Sequence, residues 1–281
     1  MLSLSLYNKL KTHLYITISF LLFFSIAFSQ SEKRNFRQHE IGVLIGGAYY
    51  VGDLNPSKHF YSPQPAGSIY YRYTPNYRYA FRGGVTYATI MGDDSQSENQ
   101  DQLQRNLNFR SKVYEFNVMA EFNFLEYRIS QDKYKFSSYL FLGLAVYNFN
   151  PQAQLGNEWY NLQPLKTEGQ TKKYSRTQVG IPFGIGIKVN VSKNVGIGLE
   201  WGPRKLFTDY LDDVSGTYPN TISTPLNSPI AEKLSDRSKN AGSNINEQRG
   251  NPRTKDWYYV FGVSLNFKLN PSPEKCHAYE H

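Results

Sequence analysis

Cysteine is almost absent from this sequence of 281 residues, and the single cysteine, Cys276, lies near its end. One thiol forms no internal disulfide and offers no cysteine-based metal framework. Long apolar runs are also lacking, because no stretch after residue 30 contains 18 consecutive apolar residues. A membrane-spanning helix needs about 20 such residues, so the sequence after residue 30 excludes one.

Patterns typical of catalysis or metal binding are equally scarce. His39 precedes the first predicted strand and His59 lies in a loop, so neither is on a strand beside a serine. The acidic pairs at 93–94 and 212–213 do not follow EF-hand spacing, and aspartates in loops more often cap turns. No glycine-rich phosphate loop is present. We therefore expect no enzyme activity, no cofactor and no metal site.

The N-terminal segment has the pattern of a secretory signal peptide. Lys9 and Lys11 precede an apolar run at 14–28, and Ala27 and Ser29 place small residues at the cleavage site. This combination predicts export and a mature chain that starts at Gln30. The predicted organisation is a signal peptide at 1–29, a periplasmic stretch at 30–39, a barrel domain at 40–269 and a polar tail at 270–281.

Aromatic residues and strict alternation are what the sequence has in abundance. Tyrosine occurs 23 times and phenylalanine 18 times, which is typical of proteins that anchor rings at membrane–water interfaces. The segment 113–124, VYEFNVMAEFNF, has apolar residues at even positions and mainly polar ones at odd positions. Such alternation predicts a β-strand with one apolar and one polar face.

Eight strands are predicted, and the connections between them alternate in length. Short connections at 74–78, 126–135 and 190–194 take turns with long ones at 52–65, 91–111, 150–174 and 202–255. The predicted strands are 40–51, 66–73, 79–90, 112–125, 136–149, 175–189, 195–201 and 256–269. This pattern favours an all-β fold: an eight-stranded up-and-down antiparallel transmembrane barrel with long extracellular loops and short periplasmic turns.

Glycine and charge repeatedly share one face of these strands, which indicates the side that faces the lumen. An eight-stranded lumen is narrow and suits small residues with a few long polar ones, whereas the bulky aromatic face is suited to lipid. We predict an ion-paired, plugged interior without an open pore, because buried charges need partners. The lumen residues by parity are Arg72, Arg82, Glu115, Glu121, Lys188 and Glu200. Pro182, inside the sixth strand, indicates a bulge, a strained rim or a misplaced strand boundary.

The long loops differ in character. The segment 201–218, WGPRKLFTDYLDDVSGTY, carries aromatics and acids, which predicts either an ordered loop over the barrel mouth or an extension of the seventh strand with a local cap. Its candidate residues are Asp209, Tyr210, Asp212 and Asp213. The segments 91–102 and 235–253 are rich in turn formers and are predicted to be solvated loops.

The chain is basic, with a net charge of +8, and loss of Lys9 and Lys11 with the signal leaves 8 − 2 = 6 positive charges. This surplus is spread through the loops and is compatible with contact with anionic lipopolysaccharide or an acidic partner, but a solvated polar surface is the favoured interpretation. No basic stripe with interleaved aromatics is present, so we expect no nucleic-acid partner.

Three sequence blocks resemble a known family. HEIGVLIGGAYYVGDLNP, PQPAGSIYYRYTPNYRYAFRGG and RKLFTDYLDDVSGTY are similar to the PorG-like outer-membrane barrels of Bacteroidota, over residues 38–269. The resemblance implies a component of the type IX secretion system, the gliding-associated export route. It also implies association with a periplasmic ring made of a lipoprotein and its partner. The family implies no catalytic residues.

The leading expectation is thus a non-enzymatic outer-membrane barrel that anchors a secretion assembly. Two other functions stay open: a surface adhesion or binding barrel that uses its long loops, and a narrow channel for small solutes. A soluble barrel with a buried aromatic core is the remaining structural alternative.

Overall fold

Residues 37–129, 134–223 and 225–269 are described by the computed structural model. The predicted signal peptide, most of the predicted periplasmic stretch and the polar tail lie outside these residues. The first strand begins at Gln38, so it takes in the last two residues of the predicted periplasmic stretch.

Nine antiparallel strands form the sheet, and eight of them close into a barrel. The strands are β1 (Gln38–Val51), β2 (Gln64–Thr74), β3 (Tyr79–Asp93), β4 (Asn108–Asn123), β5 (Phe136–Leu155), β6 (Glu158–Asn161), β7 (Thr177–Asn190), β8 (Val195–Leu206) and β9 (Trp257–Lys268). Their order is β4-β3-β2-β1-β9-β8-β7-β5, and β5 pairs back with β4. The short β6 pairs with the end of β5 alone and forms a hairpin above the wall. All eight predicted strands are confirmed, with ends shifted by a few residues.

The helices of the described residues are short and lie in the long loops. They are α1 (Gln100–Arg105), α2 (Leu162–Leu165) and α3 (Pro229–Ser235). None of the helices in the described part of the chain is long and apolar enough to cross a membrane. The four connections predicted to be long lie at one rim and the three predicted to be short lie at the other, although the β1–β2 connection (52–63) and the β4–β5 connection (124–135) both contain 12 residues.

The two faces of the wall match the alternation of the sequence. On β4, Tyr114 is 57% exposed and Phe116 is 58% exposed, whereas Glu115 between them is 2% exposed. The same outward apolar pattern continues on every barrel strand. Exposed side chains of this apolar belt include Ile45, Ile69, Val85, Val118, Leu142, Leu144, Ile185, Leu199 and Val263. The apolar face therefore points out of the barrel and the polar face points into it.

The first and last strands close the barrel at a seam that requires glycine. Gly46 on β1 faces Gly262 on β9. A Cβ atom on Gly46 would lie 1.9 Å from the carbonyl oxygen of Phe261, and one on Gly262 would lie 2.5 Å from that of Ile45. The strands approach too closely here for a side chain, which explains two of the strand glycines.

Pro182 lies inside β7 at a gap in the pairing, and the predicted bulge is wrong. The β5–β7 register keeps one offset throughout, but pairing is interrupted where Gly143 and Leu144 face Pro182 and Ile181. A second interruption lies beside it in the β7–β8 pairing, next to Pro203. Because proline has no N–H to donate, it fits at such gaps in the ladder.

Candidate functional site

The lumen contains all six charged residues that the sequence assigned to it, and Glu121 lies at their centre. Its carboxylate is 3.0 Å from Arg72 Nε, 3.4 Å from Arg82 Nε and 3.4 Å from Lys188 Nζ. All four side chains are almost completely buried. One acid on β4 thus holds cations from three other strands.

Glu200 forms the second centre of charge in the lumen. Arg82 donates to its two carboxylate oxygens at 2.6 and 3.1 Å, in a bidentate arrangement. The hydroxyl of Tyr139 donates to the same carboxylate at 2.9 Å. Fork-like pairing of this kind fixes geometry as well as charge.

Two further lumen charges were missed by the sequence analysis. Glu40 accepts from Arg72 Nη1 at 2.8 Å, and Arg204 Nε lies 3.4 Å from Glu115. The hydroxyl of Tyr258 also donates to Glu115. Parity alone would have placed Glu40 inside, whereas Arg204 lies beyond the predicted strand end at Trp201. The eight residues, here called the lumen network, comprise four acids and four bases: Glu40, Glu115, Glu121, Glu200, Arg72, Arg82, Lys188 and Arg204.

The centre of the barrel is filled. A cavity of about 10 Å³ lies beside Tyr70, Arg82 and Glu200, which is room for about one water molecule. At the short-turn rim, Tyr127 and Ile129 of the β4–β5 turn are buried, and Lys188 Nζ lies 5.1 Å from the Tyr127 ring centre. The turn therefore closes that end of the lumen.

At the other rim the long loops fold into a compact layer. We call this layer, formed by the described residues within 52–63, 94–107, 156–176 and 207–256, the loop cap. The predicted ordered segment lies inside it, since Asp209, Asp212 and Asp213 are buried and Tyr210 stacks on Tyr174 at 4.7 Å. Both predictions for 201–218 are correct for part of the segment. The strand β8 extends to Leu206, and the residues after it form an ordered loop over the mouth of the barrel.

The solvated character predicted for 91–102 and 235–253 is wrong in part. Asp94 is fully buried and receives two hydrogen bonds from Arg105, at 2.7 and 2.8 Å. Arg249 is also buried and donates to Glu168 at 3.0 Å and to the Asp213 carbonyl at 2.7 Å. These ion pairs order segments whose composition alone indicated a loop without packing.

Aspartates of the loop cap are buried without enough cations. Burial, opposed by Arg249, raises the pKa of Asp213 to about 6. Burial also raises the pKa values of Asp212 and Asp256 well above their usual range, and Asp53 adds to this through its charge. The Tyr50 hydroxyl contacts Asp212 at 2.5 Å and Asp256 at 3.0 Å. Because a hydroxyl donates one proton, the arrangement is satisfied when one of the two carboxyls is protonated.

The outer wall carries an aromatic cluster at the loop-cap end of the belt. Tyr49 points outward from β1 but is fully buried, because the loop after β1 folds back over it. Tyr259 stacks on its ring at 4.6 Å, Phe60 packs at 4.9 Å, and Trp201 Nε1 donates to its hydroxyl at 3.0 Å. His59 lies within hydrogen-bond distance of that hydroxyl, at 3.2 Å.

Neither described histidine is part of a nucleophile arrangement. His39 contacts the hydroxyl of Tyr71, and His59 contacts that of Tyr49. Over 37–129, 134–223 and 225–269, no three His, Cys, Asp or Glu side chains are grouped so that they would hold a metal ion.

This architecture can now be set beside known proteins. The profile of a family described as a domain of unknown function (DUF6089) matches residues 16–225, more than half of the chain. The chain belongs to this family. No curated protein matches this DUF6089 member.

Solved structures similar to this DUF6089 chain include the following three outer-membrane proteins. The attachment invasion locus protein Ail of Yersinia pestis has a TM-score of 0.41 at 11% identity, over 83% of this chain and 99% of that one. The N-terminal β-barrel domain of Pseudomonas aeruginosa OprF gives 0.36 at 10% identity, over 83% and 100%. Neisserial surface protein A gives 0.37 at 11% identity, over 83% and 97%.

Proposed function

We propose that this DUF6089 member is a non-enzymatic integral outer-membrane barrel that anchors a type IX secretion assembly. In this role its short-turn rim faces a periplasmic ring formed by a lipoprotein and its partner, and its outer wall contacts outer-membrane lipid and lipopolysaccharide. The observation that carries the proposal is a closed wall with an apolar belt outside and a filled, charge-balanced lumen inside.

The height of the apolar belt supports a membrane location. Outward apolar side chains run from Tyr114 on β4 to Phe124 directly after it, which is ten residue steps. At about 3.4 Å per step and a strand tilt of about 40°, they rise about 26 Å. The apolar band of outer-membrane barrels is about 25 Å tall. In water, such a continuous apolar surface would promote aggregation.

Membrane fractionation tests the location. We expect the protein in the outer-membrane fraction, with heat-modifiable migration on gels, because a closed barrel resists unfolding in detergent until it is heated. Recovery in the soluble periplasmic fraction would contradict the location.

Gene deletion tests the secretion role. The family resemblance carries this part of the proposal, and the filled lumen supports a structural role rather than a conduit. We expect deletion to stall release of type IX cargo, and expression of the full chain to restore it. Affinity purification from detergent with crosslinking should retrieve ring components. Normal cargo release in the deletion strain would refute the role and leave the location unaffected.

Planar-bilayer recording tests the alternative of a small-solute channel. A lumen with about 10 Å³ of free space argues against ion flow. We expect no steady conductance from the native barrel, and some from Arg82→Ala or Glu121→Ala, which remove side chains from the constriction. Strong conductance by the native protein would favour the channel.

The loop cap supports a second candidate function, surface binding. A polar groove of about 950 Å³ lies between α1 and the segment 238–251. Removal of 218–253 would be a poor test, because buried Arg249 joins that segment to Glu168. Alanine substitutions at exposed Lys239 and Asn240 leave these bonds intact. Lost ligand or cell-surface binding with normal secretion would favour the binding barrel.

A further inference from the structure

Arg237, directly after α3, is a half-buried cation without a partner anion. Its Nη1 donates to the carbonyl oxygen of Gln154 at 2.7 Å. No carboxylate of the described residues forms an ion pair with it. Burial lowers the pKa of Arg237, and the charges of Asp93 and Asp94 oppose this shift without cancelling it. Arg105 and Arg249, the other cap arginines described above, each hold a carboxylate.

A cavity of about 580 Å³ lies against Arg237. This volume is within the range of about 300–1,000 Å³ typical of small-molecule sites. Its wall also includes Lys233 of α3, Asn106, Tyr218 and Thr221. Within the described chain, the hydroxyls of Tyr218 and Thr221 have no hydrogen-bond partner. The cavity thus combines one guanidinium with several polar groups that remain available.

Two acids, Glu232 and Asp236, line the cavity, and the charges of Asp93 and Asp94 act on Arg237. Asp236 accepts hydrogen bonds from the backbone N–H groups of Ser238 and Gly242 and from the side chain of Asn244. Both of its carboxylate oxygens therefore already have partners within the loop. Asp94 is held by Arg105. Glu232 is exposed on α3. Asp93 accepts from the backbone N–H of Ser95 at 2.9 Å. Arg237, with one hydrogen bond to a carbonyl oxygen and no ion pair, is therefore the least compensated of the partly buried charges here.

We propose that this cavity binds a small organic anion with a carboxylate or phosphate group, held by the guanidinium of Arg237 and supported by Lys233 and Tyr218. Arginine suits this task because its planar fork donates two parallel hydrogen bonds to such groups. The proposal goes beyond the anchoring role and does not depend on it.

The anion comes from the external solution and not from a lipid headgroup. The last strongly exposed apolar side chain on β5 is Val146, and Gln154, which holds Arg237, lies eight residues further along. Eight residues at about 3.3 Å each place the site roughly 26 Å along the strand from that point, beyond the reach of headgroups at the belt.

Calorimetric titration of the full barrel in detergent tests the proposal with two probes that share the same sugar and differ only in the phosphate group. Glucose 6-phosphate should bind, whereas glucose should bind at least about tenfold more weakly. Arg237→Ala should weaken phosphate-probe binding by a similar factor, and Arg237→Lys should restore part of it. The exposed Arg253→Ala is the matched control in the same loop and should bind as the native protein does.

Gel migration with and without heating shows that each variant forms the barrel. Equal binding of both probes by the native protein, or no binding of either, would overturn the proposal. Native affinity in the folded Arg237→Ala variant would also overturn it. Binding that appears only with lipopolysaccharide added to the micelles would assign the anion to lipid, against our inference.

Discussion

The lumen and the loop cap bury charge in opposite ways. Within the described strands, the lumen network has four acids and four bases, and every member lies in at least one ion pair. In the loop cap, five buried acids stand against one buried arginine: Asp94, Asp209, Asp212, Asp213, Asp256 and Arg249. Strands in fixed register place opposite charges face to face, whereas the loops bring like charges together.

This difference indicates two sources of stability. In the lumen, charges are compensated by countercharges from other strands, so the network connects the wall across its centre. In the cap, Asp94 and Glu168 pair with arginines, whereas the other buried carboxyls are compensated mainly by hydroxyls, backbone N–H groups and protons. The stability of the wall should therefore depend most on each charged side chain of the lumen network. The stability of the cap should depend most on pH.

The largest expected effect is on the lumen. Glu121→Ala removes the carboxylate that Arg72 and Lys188 share, while both cations stay buried. Breaking a buried pair in this way costs about 3–5 kcal/mol. We expect a lower urea midpoint for the whole barrel, measured by heat-modifiable migration in detergent. An unchanged midpoint would show that the ion pairs do not hold the wall together.

The matched control for this substitution is Glu98→Ala. Glu98 is an exposed acid of the loop cap that pairs with Lys58 at 2.7 Å. Because solvent screens exposed pairs, its loss should leave the urea midpoint unchanged.

The next largest effect is the pH response of the cap. Because burial raises the pKa of Asp213 to about 6, the folded cap binds its proton more tightly than the unfolded chain does. Cap stability should therefore be highest below about pH 4 and fall by about 3 kcal/mol as pH rises to about 7. Asp213→Asn should flatten this slope, and asparagine suits the left-handed backbone at this position, φ 67°.

Trp159, in the β5–β6 hairpin, can report this transition when Trp201→Phe and Trp257→Phe remove the other tryptophans. The measurement is the urea midpoint of its fluorescence between pH 4 and pH 8. A cap that gains stability as pH rises would contradict the assignment of protonated carboxyls.

Tyr50→Phe acts at the border between the two regions and should have an intermediate effect. The substitution removes the hydroxyl that contacts Asp212 and Asp256, and leaves both carboxyls buried. We expect a loss of about 1–3 kcal/mol in the Trp159 transition and little change in the wall. Tyr114→Phe, on the exposed outer face, is the matched control. Equal losses in cap and wall would show that the two regions unfold together.

Lys58→Ala should have the smallest effect. Its pair with Glu98 is exposed and screened by salt. We expect no measurable change in the Trp159 urea midpoint at either low or high salt. A clear shift at low salt would mean that the β1–β2 loop contributes more to the cap than its exposure suggests.

Much of the wall could be predicted from the sequence, because successive side chains of a β-strand point to opposite faces and this alternation involves only neighbouring residues. The pattern at 113–124 assigned the inward and outward sides correctly, and parity alone placed Arg72 and Glu200 in the lumen. Each of these inferences needed residues no more than a few positions apart. The number of strands and the rim of the long loops followed from the spacing of turn signals.

The cap could not be predicted in the same way, because its packing depends on contacts far apart in sequence. Tyr50 meets Asp212 and Asp256 across more than 160 positions. Arg249 meets Glu168, and no local pattern indicates that pairing. The burial of 235–253 was missed because its composition resembles that of a solvated loop. Arg204 was missed because β8 continues past a glycine and a proline that usually end strands.

The β1–β9 seam has a consequence for biogenesis. The strand that completes the wall is also the last barrel strand in the chain, and it pairs with the first strand. The wall therefore closes only when the chain through Lys268 is present. A premature stop anywhere before β9 would thus yield an open sheet, a substrate for proteases, instead of a smaller barrel.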